Sequence, residues 1–130
     1  AVREYFPLAH VKTQYLLILG DLLGISFNRL QATVSTNGSP GGGDGEYTVW
    51  HEAVELYEVQ NVEDGSLVGH MFLDLHPRPG KYGHQCVLPI APAFSRRGSG
   101  VDAPPEDVRP ACAILGNMSP KLLRFSEVKL

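Results

Sequence analysis

Cysteine is scarce, with only Cys86 and Cys112 among 130 residues. Two cysteines in a chain of this size make no disulfide framework, and their spacing fits no Cys-x-x-Cys zinc or redox pattern. Two reduced thiols in a reducing compartment are therefore expected. An excess of positive charge is also lacking. The net charge is −3 with both signs interspersed, which leaves no basic footprint for nucleic acid and no polybasic patch for a membrane surface. Long apolar runs are missing too, since the longest strongly apolar window, residues 15–19, falls far short of the ~20 residues that a bilayer span needs. The first residues carry neither an initiator methionine nor a basic stretch before an apolar core, so no secretory signal is expected. What these absences leave is one ordinary domain length, in which folding buries roughly two-thirds of the unfolded surface.

Residues 9–23 place Val11, Tyr15, Leu16, Ile18, Leu19, Leu22 and Leu23 near the 3.6-residue period, with Lys12, Thr13, Gly20 and Asp21 largely opposite. The spacing predicts an amphipathic helix of about 15 residues, roughly 22 Å long, entered at Pro7 and stopped at Gly24. A short strand follows over residues 25–30. Residues 35–47 begin with a stretch too polar and glycine-rich to bury anything, and are expected to form a flexible surface insertion. No Gly-Lys-Ser/Thr follows that glycine run, so it makes no phosphate cradle. From residue 49 the pattern turns to β. Residues 54–59 set Val54 and Leu56 on one face and Tyr57 and Val59 on the other, and Asp64-Gly65 is a hairpin signal before a returning strand over residues 67–75. Residues 86–90 and 111–118 complete a sheet of about four strands, separated by a loop over residues 93–110.

The stretch from His70 to His84 organises the chain. An apolar run over residues 71–75 holds one charge, Asp74; then Pro77, Pro79 and Gly80 end the ladder and leave a polar hook carrying Arg78, Lys81, Tyr82 and His84. Leu73-Asp74-Leu75, Pro77-Arg78 and Gly80-Lys81-Tyr82-Gly83-His84 resemble the segment that the thimet oligopeptidase, neurolysin and saccharolysin family of zinc metallopeptidases carries just ahead of its zinc site. The family version reads approximately F-Y-L-D-L-Y-P-R-E-G-K-Y-G-H-A. Met71, Phe72, His76, Pro79 and Gln85 depart from it in side chain but not in spacing. Glu4-Tyr5-Phe6-Pro7 with Leu22-Leu23-Gly24-Ile25-Ser26-Phe27, and Trp50-His51 with Val54-Glu55-Leu56-Tyr57, extend the likeness in collinear order over nearly the whole chain.

The resemblance implies a part of a larger, mostly helical catalytic domain that hydrolyses short peptides. Its chemistry would be that of zinc-bound water, activated by a glutamate, attacking the peptide carbonyl. The zinc ligands of such enzymes lie on a His-Glu-x-x-His helix. No such pair occurs in this chain. His51-Glu52-Ala53-Val54-Glu55 is a decoy, with glutamate in place of the second histidine and a strand start in place of a helix, which would set His51 and Glu55 about 13 Å apart. Neither catalytic nor metal-binding residues are expected here, and zinc belongs to the parent enzyme. Phe125-Ser126-Glu127-Val128-Lys129-Leu130 has the marks of a helix start, with Ser126 as N-cap, and the helix over residues 126–130 is too short to stand alone. In the relatives the metal helix begins there.

By the same resemblance, the strand ending in Gly116-Asn117 lies at the cleft edge. There Ala113, Ile114, Leu115, Gly116 and Asn117 would bind an extended peptide through unpaired backbone groups. Asp74, Arg78, Lys81, Tyr82 and His84 form a structural hook near the cleft, Asp74 and Arg78 as a candidate ion pair. Arguing against the carry-over, Met118 replaces a phenylalanine and the connection over residues 119–124 is several residues shorter than usual.

The expected fold is α+β: one N-terminal helix packed on a small, mainly antiparallel sheet, the whole of residues 1–130 forming a partial peptidase catalytic domain. The expected partners are short peptides and the remainder of the same catalytic domain, with no nucleic acid and no membrane. The expected compartment is the cytoplasm, with the mitochondrion as second choice. The rival reading is a peptide-binding or interaction module without hydrolysis.

Overall fold

The computed structural model describes residues 7–35, 47–96 and 106–118. Pro7, in extended conformation, precedes helix α1 (Leu8–Leu23), and its carbonyl accepts the Val11 N–H at 3.0 Å. Gly24 ends the helix in the left-handed conformation, φ 67°, which costs glycine nothing because it has no Cβ. Nine strands follow among the described residues. They are β1 (Ile25–Leu30), β2 (Ala32–Val34), β3 (Tyr47–Val49), β4 (Glu55–Asn61), β5 (Leu67–Asp74), β6 (Cys86–Ala91), β7 (Phe94–Arg96), β8 (Glu106–Val108) and β9 (Ala111–Leu115). Five of them form one sheet in the order β1-β4-β5-β9-β6; β2 and β3 pair in parallel, and β7 and β8 pair antiparallel.

The α+β class therefore stands, with five strands in the main sheet rather than four. Three of its four pairings are antiparallel, and β5 with β9 is parallel. The span read as a loop over residues 93–110 contributes β7 and β8 at its two ends. The central hairpin follows the alternation of its side chains. Val54 and Leu56 pack with Val49 on one face, against Leu30, Ala32 and Phe72, while Tyr57 packs with Met71 and Leu73 on the other, against Leu16, Phe27, Val59 and Ile114. Gly65 takes φ 69° in the turn between them. The insertion assigned to residues 35–47 falls mostly on residues 36–46, which lie outside the described residues, as does the helix start at 126–130. Tyr47 itself opens β3.

Helix α1 turns a different face inward from the one its apolar stripe predicts. Val11, Tyr15, Ile18 and Leu22 are exposed, whereas Lys12, Leu16, Leu19 and Gly20 are half-buried toward the sheet. Two specific contacts decide this rotation. Lys12 Nζ donates to both Glu55 carboxylate oxygens at 2.7 and 2.6 Å, and Gly20 passes so near β1 that a Cβ there would lie 2.8 Å from the Ile25 carbonyl oxygen. Among the described residues no helix is long and apolar enough to cross a membrane.

At the other end of the hairpin, Gly69 lets β5 approach the residue that leads into β9. Pro110 O accepts the His70 N–H at 2.9 Å, and a Cβ on Gly69 would stand 2.5 Å from that same oxygen and 3.0 Å from the proline ring. Gly69→Ala should therefore destabilise the protein by about 1–3 kcal/mol through overpacking. The measurement is the urea midpoint; an unchanged midpoint would show that Pro110 moves aside freely.

Candidate functional site

The residue at the centre of the hook is Asp74, the last of β5 and the most deeply buried polar side chain described, at 1% exposure. Because β-strand side chains alternate, Met71 and Leu73 face α1 while Asp74 turns to the side of Phe72 and the β2–β3 pair. Its carboxylate meets three donors there. Arg78 binds it through both guanidinium nitrogens, at 2.6 and 2.7 Å; Trp50 Nε1 donates to Oδ2 at 3.0 Å; and Lys81 Nζ lies 2.9 Å from Oδ1. Burial pushes the Asp74 carboxyl up, but the hydrogen bonds from Arg78, Trp50 and Lys81 outweigh it and hold the group far below the ordinary carboxylate range. Arg78 is raised in turn, chiefly by its bond to Asp74.

The ion pair expected between Asp74 and Arg78 is thus present, and Lys81 extends it. The Lys81 side chain is 2% exposed, and its ammonium also donates to the carbonyls of Asp74 and His76, each at 2.7 Å, and to that of Gly116. Further bonds fasten the same segment. Gly116 N donates to Asp74 O and Met118 N to Leu75 O, both at 2.8 Å, while Asn117 Nδ2 donates to Tyr82 O at 3.1 Å. The hook therefore clasps the exit of β9. Tyr82 and His84 are exposed on its outer side, their rings 5.4 Å apart and tilted.

Strand β9 itself corrects the sequence expectation. Ala111–Leu115 is not an edge: it pairs in parallel with β5, where Leu73 faces Ile114 and Asp74 faces Leu115, and antiparallel with β6, where Leu88 faces Ala113. The backbone of Ala113, Ile114 and Leu115 is committed to the sheet on both sides, and Gly116 and Asn117 are held by the hook. The edge next to β9 is β6. Its Pro89 has no N–H to offer, which suits an edge position, and Val87, Leu88 and Ile90 are exposed along it.

The His51 segment also differs from expectation. It forms a turn, with Ala53 N donating to His51 Nδ1 at 3.0 Å and Val54 N to His51 O at 3.0 Å, so the strand starts only at Glu55. Glu55 is taken by Lys12 and by the Tyr57 hydroxyl, at 2.9 Å. Burial raises the Glu55 carboxyl, yet the bonds from Lys12 and Tyr57 leave it lowered overall, and the Tyr57 phenol is pushed up to about 12 by burial and by its bond to Glu55. Among the described residues no three His, Cys, Asp or Glu side chains converge to hold a metal. Cys86 and Cys112 are free, with Cys112 raised by burial.

The contribution of Asp74 and Glu55 to stability has a definite sign with pH. Both are depressed on folding, so their contribution is fully present above the unfolded carboxylate values near 4 and is lost as pH falls through the folded ones. Trp50, the single tryptophan, touches Asp74 directly and lies tilted against Phe72 with ring centroids 5.1 Å apart. Its emission should hold steady from about pH 8 to 5 and change below about 4. A midpoint near 6 would mean that another group governs the cluster.

Comparison with known proteins bears out the family resemblance. Residues 1–130 match the model of peptidase family M3. The chain is similar to a thimet-like oligopeptidase of Dictyostelium discoideum, with 32% identity over 134 residues, covering 98% of this chain and 17% of that protein. Saccharolysin of Saccharomyces cerevisiae is 34% identical over 96 residues, 72% of this chain and 12% of its own. A probable thimet oligopeptidase of Arabidopsis thaliana is 29% identical over 89 residues, 68% of this chain and 11% of its own. The chain thus spans less than a fifth of the length of each of these relatives. With its whole length matched, the chain belongs to peptidase family M3.

Proposed function

We propose that this chain is the substrate-side part of a zinc-dependent oligopeptidase that hydrolyses short peptides. The observation that carries the reading is the family match over residues 1–130, together with relatives named as oligopeptidases. In this reading the zinc ligands and the general base come from parts of the parent outside the described residues. The sheet supplies the seat for the peptide backbone. That seat is β6, the sheet edge next to β9 among the described residues, and not the strand that carries Ala113, Ile114 and Leu115. An extended peptide adding to β6 would gain backbone hydrogen bonds, with alternate side chains beside Val87, Leu88 and Ile90. Gly116 and Asn117 would then support the site rather than pair with substrate, as would the hook of Asp74, Arg78, Lys81, Tyr82 and His84.

Two measurements test this. A parent protein that includes these residues should cleave a short quenched-fluorescent peptide, lose turnover on chelation and regain it with zinc, while the 130-residue chain alone should not cleave. Turnover by the parent that is indifferent to chelation overturns the zinc reading. The seat is tested on the 130-residue chain by titrating its amide resonances with a short valine-rich peptide. Shifts should concentrate on β6. Shifts confined to β1, the opposite edge of the sheet, would overturn the assignment. Saturable binding by a parent that never cleaves would favour the module without hydrolysis.

A further inference from the structure

Lys81 is unusual among the charged groups. Its ammonium has three protons to give, and four oxygens surround it: Asp74 Oδ1 and the carbonyls of Asp74, His76 and Gly116. The side chain is only 2% exposed, so the protein itself supplies nearly all of that shell. Three of the four oxygens are backbone atoms, drawn from the end of β5 and from the exit of β9. Carbonyls that converge in this way repel one another, and a buried cation is what makes the convergence favourable.

We propose that Lys81 is a positioning residue whose ammonium acts as the cation of this oxygen cage, fixing residues 116–118 and, through β9, the edge strand β6. The route is short. Lys81 holds Gly116 O; Gly116 follows Leu115 directly; and Leu115 is the register partner of Cys86, the first residue of β6. Among the described residues strand β6 has no partner in the sheet other than β9, so the placement of its first residues depends on where β9 ends. Arg78 does not substitute for this role, because among the described residues its guanidinium nitrogens bond the two oxygens of the Asp74 carboxylate. The last step, from β6 to a bound peptide, rests on the peptide-seat reading; the cage itself does not.

The test removes the side chain and returns the cation separately. Lys81→Ala deletes the equivalent of propylammonium, and amide exchange in the 130-residue chain reads the two N–H groups that the cage holds in place, Gly116 and Met118. Exchange at both should accelerate by about tenfold or more in K81A, as expected for losing a hydrogen-bonded charge. The β4 amides of Tyr57 and Glu58 serve as the internal measure of global folding. Millimolar propylammonium should restore most of the protection, and tetramethylammonium, which carries the charge without N–H donors, should not. Failure of propylammonium to restore protection overturns the cage, as does equal recovery with tetramethylammonium. So does wild-type protection in Lys81→Met, which would mean that packing alone suffices. If K81A unfolds entirely, refolding by propylammonium but not by tetramethylammonium is the supporting result, and refolding by neither is the contrary one.

Titration with the valine-rich peptide then separates the two ideas. K81A should bind it about tenfold more weakly, with propylammonium restoring the affinity. Wild-type affinity in K81A overturns the positioning role. If the unsubstituted chain does not bind the peptide, the β6 seat fails, and the exchange experiment still decides the cage.

Discussion

Replacing Asp74 with asparagine should cost about 3–5 kcal/mol of stability, the range seen when one partner of a buried ion pair is removed and the other stays behind. Asparagine has nearly the same shape, so the loss is electrostatic. Its amide can accept through one oxygen only, while the NH₂ group would point a donor at either the Arg78 guanidinium or the Lys81 ammonium, both of which are donors themselves. Arg78 retains some solvent at 22% side-chain exposure, but Lys81 at 2% has no such outlet. The partly exposed Lys12–Glu55 pair sets the contrast. Glu55→Gln should cost only about 1 kcal/mol, because both partners keep 21% side-chain exposure and can be rehydrated. Urea unfolding followed by Trp50 emission measures both variants, with near-ultraviolet circular dichroism as a check because Trp50 itself loses a partner in D74N. Equal effects of the two substitutions would refute the central place given to Asp74.

The hairpin of β4 and β5 was legible because two short apolar segments, residues 54–59 and 67–75, flank the turn signal Asp64-Gly65. The order of the sheet was harder to read. Two signals for it lie in the sequence. Ala111, Cys112, Ala113, Ile114 and Leu115 carry no polar side chain at all, the composition of a strand covered on both faces, and as an exposed edge it would be a liability. Pro89, by contrast, marks β6 as a strand with a side that needs no donor. Family resemblance to a cleft-edge strand overrode those local signals, and the inserted position of β9 between β5 and β6 reflects long-range pairing that no periodicity encodes.

The site divides in the same way. Asp74 and Arg78 lie four residues apart on either side of a turn, so their pairing could be expected from spacing. Trp50 is 24 residues from Asp74, and the Gly116 carbonyl is 35 residues from Lys81. Only the folded sheet brings them together. The inward rotation of α1 was equally hidden, since Lys12 reads as a solvent-side residue until Glu55 arrives from β4, 43 residues away. Charge pairs across such separations are settled by the sheet register and helix packing rather than by local pattern.

Gly116→Pro should be far more damaging than Gly116→Ala, and the comparison decides what the β9 exit does. Gly116 is not among the described glycines with positive φ, and an added Cβ would sit 3.5 Å from Leu75, an ordinary contact. Alanine should therefore leave stability within about 1 kcal/mol of the parent. Proline removes the N–H that bonds Asp74 O at 2.8 Å and puts a ring where that hydrogen lay, next to a carbonyl that also serves Lys81. The expected loss is about 3 kcal/mol or more, comparable to proline placed inside a hydrogen-bonded element. Had the Gly116 backbone faced a peptide substrate, proline would weaken peptide binding while leaving the melting temperature unchanged. Bonded as it is to Asp74, it should lower the melting temperature by several degrees. Thermal unfolding and peptide titration on the same two variants separate these outcomes. A G116P protein with the parent's melting temperature and impaired peptide binding would return Gly116 to the substrate side of the site and remove it from the contacts made by the hook.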